Sequence, residues 1–369
     1  LKMPFSHHSH SGQFCEHAKG KLEEIVIEAI KKKFLVYGLS EHCPRYRVQD
    51  LYPEESHLQP SDLSKTFSEF VIEARRLQDK YKSQITLLVG LESENITSSS
   101  TTEIKNLISQ YNLDYLVGSV HHAHETPIDF DLETFEIALS KSANLFESNV
   151  NSLEESLFAS YFDSQYQLLK DLKPMVVGHF DVIRIFRPNF ELTDFLFKKI
   201  ERNIEFVMEY GGLFEINTAG FKKLQCAYPQ RDILKLIIEK GGKLTISDDC
   251  HSPQSVGMNY HKLYDYLKEF NINELYYLDI DLEKPKQDRK VVVKCCYNGM
   301  VVRSSAMIKK HAQSADIEDY PNTVQESGIK ELEIGEPKNE IVEDNELIVS
   351  CNIEKTELDD LLQRLKELQ

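Results

Sequence analysis

The chain has 369 residues, 41% of them hydrophobic, and a formal net charge of −17. That length suits one large domain, and no run of about 18 apolar residues marks a membrane span. The acidic balance repels polyanions, which excludes nucleic acid as a bulk partner and leaves a small anionic substrate only where a local positive site holds it.

The seven cysteines (Cys15, Cys43, Cys226, Cys250, Cys295, Cys296 and Cys351) are scattered and form no CxxC pair. A reduced, cytoplasmic chain without a disulfide framework is expected. No apolar segment of the signal-peptide kind opens it.

The stretch from Ser6 to His17 holds His7, His8, His10 and His17, four of the 13 histidines. If His8 and His10 lie on a strand, they share one face, and neutral imidazole is the commonest metal ligand. A tag or a solvated His-rich terminus is the competing reading, and partners elsewhere in the chain decide between them. Lys21 to Phe34 carries Leu22, Ile25, Val26, Ala29 and Ile30 at helical spacing. Phe34 to Leu39 is a short apolar run that ends in Ser40-Glu41-His42 and suits a buried parallel strand. After Pro44, Pro53 and Pro60, a second amphipathic helix places Phe67, Phe70, Val71, Ala74, Leu77 and Tyr81 on one face.

The same grammar then repeats. Ile85 to Val89 runs into Gly90-Leu91-Glu92, Asp114 to Val120 into His121-His122, and Met175 to Gly178 into His179-Phe180-Asp181. Leu213-Phe214 runs into Glu215-Ile216-Asn217, and Lys243 to Ser247 into Asp248-Asp249-Cys250-His251. Gly211-Gly212 and Gly241-Gly242 supply helix stops before two of these strands. Alternating helices and apolar strands predict a parallel α/β architecture. Seven strand candidates, all ending in His, Asp, Glu or Asn, predict a barrel with one polar site at the C-terminal ends of its strands. An open doubly wound sheet is the alternative, against which no Gly-rich phosphate fingerprint follows the first strand.

Composition changes near residue 295, so residues 1–295 are expected to form the barrel and 296–369 an acidic, largely flexible tail. Val291-Val292-Val293 is a further strand candidate that would close the core or cover its edge. Near 356–368 a capping-box pattern, Thr356-Glu357-Leu358-Asp359, precedes a leucine stripe. That segment is expected to be a short helix, either docked on the barrel or used for self-association or a partner.

The strand-end groups are His8, His10, His17, His42, Glu92, His121, His179, Asp249 and His251. Seven imidazoles and two carboxylates exceed one tetrahedral site. They suit two or three divalent cations, with Glu92 bridging. Nitrogen and oxygen donors fit zinc, manganese or iron. Cys15, Cys43 and Cys250 are expected to be small packing residues.

These motifs, with Tyr52-Pro53-Glu54-Glu55, Pro127-Ile128-Asp129-Phe130-Asp131 and Glu215-Ile216-Asn217-Thr218, resemble the PHP (polymerase and histidinol phosphatase) family over roughly residues 4 to 295. Within it they are most similar to the histidinol-phosphate phosphatases, and among those to the fungal form. The resemblance implies a distorted seven-stranded (β/α) barrel with a trinuclear metal site, zinc being the expected metal. His8, His10, Glu92 and Asp249 would hold one ion; Glu92, His121 and His179 the second; His17, His42 and His251 the third. It implies hydrolysis of L-histidinol phosphate to L-histidinol and phosphate in histidine biosynthesis, with Asp249, Glu92 and His179 as catalytic residues. The cations would neutralise the ester and activate a hydroxide to attack phosphorus, and the leaving alkoxide would take its proton from water or from Asp249.

Arg184 and Arg45 lie just beyond strand ends and are candidates to grip phosphate, with a salt bridge as the alternative for each. Glu215 would meet the substrate's imidazole or amine, or orient a ligand histidine. Two departures stand out: Ser6 replaces the Asp that many family members carry before the HxH, and His7, His122 and His124 are additional imidazoles. His121 is chosen over His122 on the motif alone. Competing functions are a PHP phosphoesterase acting on another monoester or on nucleic acid, a metal-dependent amidohydrolase, and a catalytically silent scaffold. The strand ending in Gly-Leu-Glu argues against the amidohydrolase, which usually adds a bridging carboxylated Lys.

Overall fold

The structure is a computed structural model that describes residues 4–143, 150–280, 291–297 and 300–301. Seven parallel strands form one sheet: β1 (Phe5–Ser6), β2 (Val36–Leu39), β3 (Thr86–Glu92), β4 (Tyr115–Gly118), β5 (Val176–Val177), β6 (Leu213–Asn217) and β7 (Lys243–Ser247). Their spatial order is their chain order, and each neighbouring pair is parallel. The two ends of the sheet meet, since Ser9 bridges Cys250 and the His10 N–H donates to the Cys250 carbonyl at 2.8 Å. This is the nearly closed seven-stranded barrel the strand grammar predicts, not an open sheet.

Parallel neighbours need crossover connections, and helices supply them. These are α1 (Leu22–Lys31), α2 (Pro60–Tyr81), α3 (Ser100–Tyr111), α4 (Leu132–Ser142) with α5 (Leu153–Leu172), α6 (Asp194–Tyr210) and α7 (Arg231–Lys240), with α8 (Tyr260–Glu269) after β7. Each buries an apolar stripe on the barrel; α1 does so with Leu22, Ile25, Val26 and Ala29. α1 stops at Lys31, short of the expected Phe34, because Lys33 turns left-handed (φ 60°) and the Phe34 N–H folds back to the Ala29 carbonyl. The expected stops of α6 and α7 stand at Gly211 and Gly241, both left-handed.

The barrel interior is closed by one large side chain. Tyr115 on β4 lies across β2 and β3 at Gly38 and Gly90, where an added Cβ would come within 2.2 Å of the Tyr115 Oη and 2.6 Å of its ring. Its hydroxyl donates to the His7 carbonyl at 2.7 Å. The side chain thus ties the first strand to the fourth through the barrel core.

The strand assigned to His8 and His10 is shorter than expected and ends at Ser6. The Ser9–Cys250 bridge carries the register onward, so both imidazoles still reach the same centre. Val291-Val292-Val293 does lie in a strand, but outside the barrel sheet: β9 (Val291–Tyr297) pairs antiparallel with β8 (Glu274–Ile280), and β10 (Met300–Val301) adds to it. The boundary expected at residue 295 therefore falls inside β9, where Cys296 is buried. Residues 302–369, which hold Cys351 and the segment near 356–368 expected to be a helix, lie outside the described residues. Among the described residues no helix is long and apolar enough to cross a membrane.

Candidate metal centre

Five of the strand-end imidazoles converge directly on one carboxylate, Glu92. Glu92 is the last residue of β3 and is 1% exposed. Its Oε1 lies 3.0 Å from His8 Nε2, 3.2 Å from His121 Nε2 and 2.9 Å from His179 Nε2. Its Oε2 lies 3.3 Å from His10 Nε2 and 3.1 Å from His42 Nδ1. Each oxygen thus has its own ring of imidazole nitrogens. Asp249 Oδ1 approaches His8 Nε2 at 3.6 Å and His10 Nε2 at 3.5 Å, and Asp249 itself is left-handed, φ 48°. Backbone strain of that kind is held where surrounding contacts over-determine it. His17 and His251 stand 5.2 Å apart by ring centroid, His17 and His42 5.2 Å, and His10 and His251 4.5 Å, which forms an outer, more exposed end of the cluster.

A second layer of carboxylates sets the ring orientations. Glu215 Oε1 sits 2.9 Å from His8 Nδ1, while its Oε2 accepts the His179 N–H at 2.7 Å and Asn217 Nδ2 at 3.1 Å. Glu41 Oε2 faces His10 Nδ1 at 3.5 Å, and its Oε1 accepts from both the Ser11 N–H and hydroxyl at 2.8 Å. Glu54 Oε1 is 2.8 Å from His17 Nδ1, and the Asp249 carbonyl is 3.0 Å from His251 Nδ1. An acceptor at Nδ1 fixes the proton there and turns the Nε2 lone pair inward, the usual arrangement of a ligating histidine.

The electrostatics suit cations. Burial works against charge on His8, His10 and His121, yet the carboxylates around them hold all three well above the ordinary imidazole range. Burial also opposes charge on Glu92, Glu94 and Asp249, but the surrounding histidines hold these carboxyls well below theirs. His8 Nε2, His10 Nε2, both ring nitrogens of His42, Glu94 Oε1 and Asp249 Oδ1 are buried with no hydrogen-bond partner. Donors on a tetrahedral cation with bonds of about 2.0–2.1 Å stand roughly 3.3 Å apart, and the spacings around Glu92 and Asp249 run from 2.9 to 3.6 Å. The donor set therefore fits divalent cations.

The structure also revises several sequence assignments. Glu215, with two roles open to it, contacts His8 Nδ1 and the His179 N–H. Arg45, a candidate for phosphate or for a salt bridge, is buried with its guanidinium against Glu55, 3.8 Å from Glu94 and over the Tyr52 ring. Arg184 Nη1 donates to both carboxylate oxygens of the partly exposed Asp232, at 2.7 and 2.9 Å, and lies 3.7 Å from Asp181. His121 reaches Glu92, whereas His122 turns toward Tyr52, with ring centroids 5.8 Å apart. His7 Nε2 accepts the Leu278 N–H at 3.0 Å and binds β8 to the barrel, and His124 meets Ser142. Ser6, which stands where many family members carry Asp, donates its hydroxyl to Asp248 at 2.7 Å.

Three contributors went unassigned in the sequence. Glu94 lies 3.2 Å from His42 Nδ1, 3.3 Å from His121 Nδ1 and 3.5 Å from His122 Nδ1. Its position two residues after Glu92, on the same side of an extended chain, was the signal for it. Glu41 and Glu54 sat inside motifs already singled out. Cys15, taken as a packing residue, brings Sγ within 3.2 Å of His17 Nε2.

Comparison with known proteins follows from this geometry. Residues 6–219 match the PHP domain family. The chain is similar to a probable histidinol-phosphatase of Schizosaccharomyces pombe, 49% identical over 74% of this chain and 89% of that protein. It is also similar to the histidinol-phosphatase of Saccharomyces cerevisiae, 31% identical over 71% of this chain and 87% of that protein. Its fold is similar to the crystal structure of histidinol phosphate phosphatase from Lactococcus lactis, complexed with zinc, L-histidinol and phosphate. The TM-score is 0.53 at 18% identity, over 74% of this chain and 96% of that one.

Proposed function

We propose that this chain, which belongs to the PHP family, hydrolyses L-histidinol phosphate to L-histidinol and phosphate. The observation that carries the reading is Glu92, a buried carboxylate whose two oxygens are each ringed by imidazole nitrogens. The names of the fungal relatives, and the ligands of the Lactococcus lactis structure, support histidinol phosphate as the substrate.

Two to three zinc ions are the proposed cofactor. His8, His10, Glu92 and Asp249 would hold the first, Glu92, His121 and His179 the second, and His17, His42 and His251 the third. Bound divalent cations neutralise phosphate charge and acidify water, the help a monoester dianion most needs because its uncatalysed hydrolysis is among the slowest known.

The chain's own residues do the rest. Glu215, Glu41 and Glu54 fix the orientation of His8, His10 and His17, so no reorganisation is needed when substrate arrives. Asp249 Oδ2 is occupied by Asn217 at 3.1 Å, whereas Oδ1 has no hydrogen-bond donor. Asp249, whose Oδ1 faces His8 and His10, is the residue we assign to relay a proton from the incoming water to the leaving alkoxide. Arg184, released from the partly exposed Asp232, is the proposed guanidinium for the phosphate. The six described cysteines are free, which suits a reducing cytoplasm. The test is phosphate release across a panel of small phosphomonoesters, with short single-stranded DNA as a competing substrate. L-histidinol phosphate should be turned over in clear preference; equal or better turnover of DNA or of unrelated esters refutes the assignment.

A further inference from the structure

Every carboxylate at the centre of the mouth has a partner except one. Glu41, Glu54, Glu92, Glu94, Glu215 and Asp249 each face an imidazole. Asp129 faces none at pairing distance. Among the described residues it accepts no hydrogen bond and joins no ion pair, although it is partly withdrawn from solvent. An unpaired carboxylate partly removed from water is costly unless a ligand supplies the countercharge.

Its position is built. Asp129 follows a short hairpin, His122–Ala123 paired with Thr126–Pro127. The residue before it, Ile128, donates its N–H to the His121 carbonyl at 2.9 Å. The residue after it, Phe130, stacks on Tyr52 at 5.5 Å. Asp131 then caps α4 by accepting the Thr134 N–H at 2.8 Å. The backbone is therefore pinned on both sides, with Asp129 beside the His121–His179 end of the cluster. Tyr228 is 3% exposed, presents its ring edge to His179 with centroids 6.3 Å apart, and has a hydroxyl with no hydrogen-bond partner. Two unsatisfied polar groups, one anionic, thus border the place where the ester would sit.

We propose that Asp129, helped by the Tyr228 hydroxyl on the His179 side of the cluster, binds the ammonium group of an amino-alcohol phosphate and so selects substrates that carry a cation next to the ester. The inference rests on the hydrolase reading above. In L-histidinol phosphate the ammonium is two carbons from the ester oxygen. A carboxylate flanking the phosphate site is in reach of it, whereas one deeper among the imidazoles would compete with the cations.

The test compares kcat/KM for L-histidinol phosphate with that for its deamino analogue, the same ester without the amine. It uses metal-loaded wild type, D129N and Y228F at equal metal content by elemental analysis. Loss of a charge-assisted hydrogen bond should lower the preference for the aminated ester roughly 10- to 100-fold in D129N, with a smaller shift of the same kind in Y228F. Product inhibition by L-histidinol should weaken in parallel, and inhibition by inorganic phosphate should move less. Equal losses on the two esters, or an unchanged preference, overturn the assignment while leaving the hydrolase reading intact. A metal-loaded wild type that turns over neither ester overturns the hydrolase reading itself.

Discussion

Replacing Glu215 by Gln changes almost no volume, yet it should cripple metal binding. Glu215 accepts on both oxygens: Oε1 faces His8 Nδ1 at 2.9 Å, and Oε2 takes the His179 N–H at 2.7 Å. A glutamine has one acceptor and one donor end. If its carbonyl keeps the His179 N–H, its amide donates to His8 Nδ1. The His8 proton must then sit on Nε2, where it points at Glu92 and Asp249 and removes the lone pair a cation needs. If the amide is turned the other way, two donors meet at His179 in a fully buried site, which costs about 1–3 kcal/mol. Either way one charged hydrogen bond, worth about 1.5–3 kcal/mol, is lost. At 1.4 kcal/mol per decade this amounts to roughly a 10- to 100-fold drop in metal affinity, in the range seen when the outer partner of a ligand histidine is removed. The assay is titration of metal-stripped protein with zinc against a chromophoric chelator, with wild type and E215Q in parallel. Affinities within threefold of one another would refute the tautomer argument.

The other predictions probe neighbouring parts of the account. Glu94→Gln should weaken zinc binding about 10-fold, because Glu94 faces the Nδ1 atoms of His121 and His42; unchanged stoichiometry and affinity in the same titration would leave it a bystander. Gly38→Ala drives a methyl against the Tyr115 hydroxyl and the His7 Cα, so urea denaturation should show a loss of about 1–3 kcal/mol, and an unshifted midpoint contradicts the packing. Glu23 accepts hydrogen bonds from Lys80, Tyr81 and Arg76, contacts that hold its carboxyl down at about 2. Its contribution is therefore complete above the ordinary carboxylate value of 4.5 and is lost as pH falls toward 2. Since these side chains are partly exposed, E23Q should cost at most about 1 kcal/mol at pH 7 and less in high salt; a cost that grows on acidification has the wrong sign.

The parts of this protein that were legible from its residues obey local rules. Apolar runs ending in His121, His179 or Asp249 mark strands because a parallel strand buried on both faces is apolar throughout, and because polar residues at its end need a shared mouth. Gly211 and Gly241 mark helix stops because only glycine turns left-handed without strain. What local pattern does not carry is pairing across the fold. Nothing near Arg45 or Arg184 says that Glu55 and Asp232 will pair with them, so the salt-bridge alternative for each had no named partner. The Ser9–Cys250 bridge joins the residues that follow the first and last strands, far apart in the sequence, and no local pattern shows that it takes over where Phe5–Ser6 ends. Glu94 is a different case. Its spacing from Glu92 is visible in the sequence, but the three imidazoles around it come from other strands and loops.

The central claim is that bound cations, gathered around Glu92, make this chain a phosphatase. Its most direct test is phosphate release from L-histidinol phosphate by the purified full chain, measured before chelation, after chelation and after zinc is returned, with metal content followed by elemental analysis. The account predicts two to three equivalents of metal at the start, activity lost with them and activity regained with zinc. Full turnover by protein shown to be metal-free, or none by protein shown to be loaded, would contradict it.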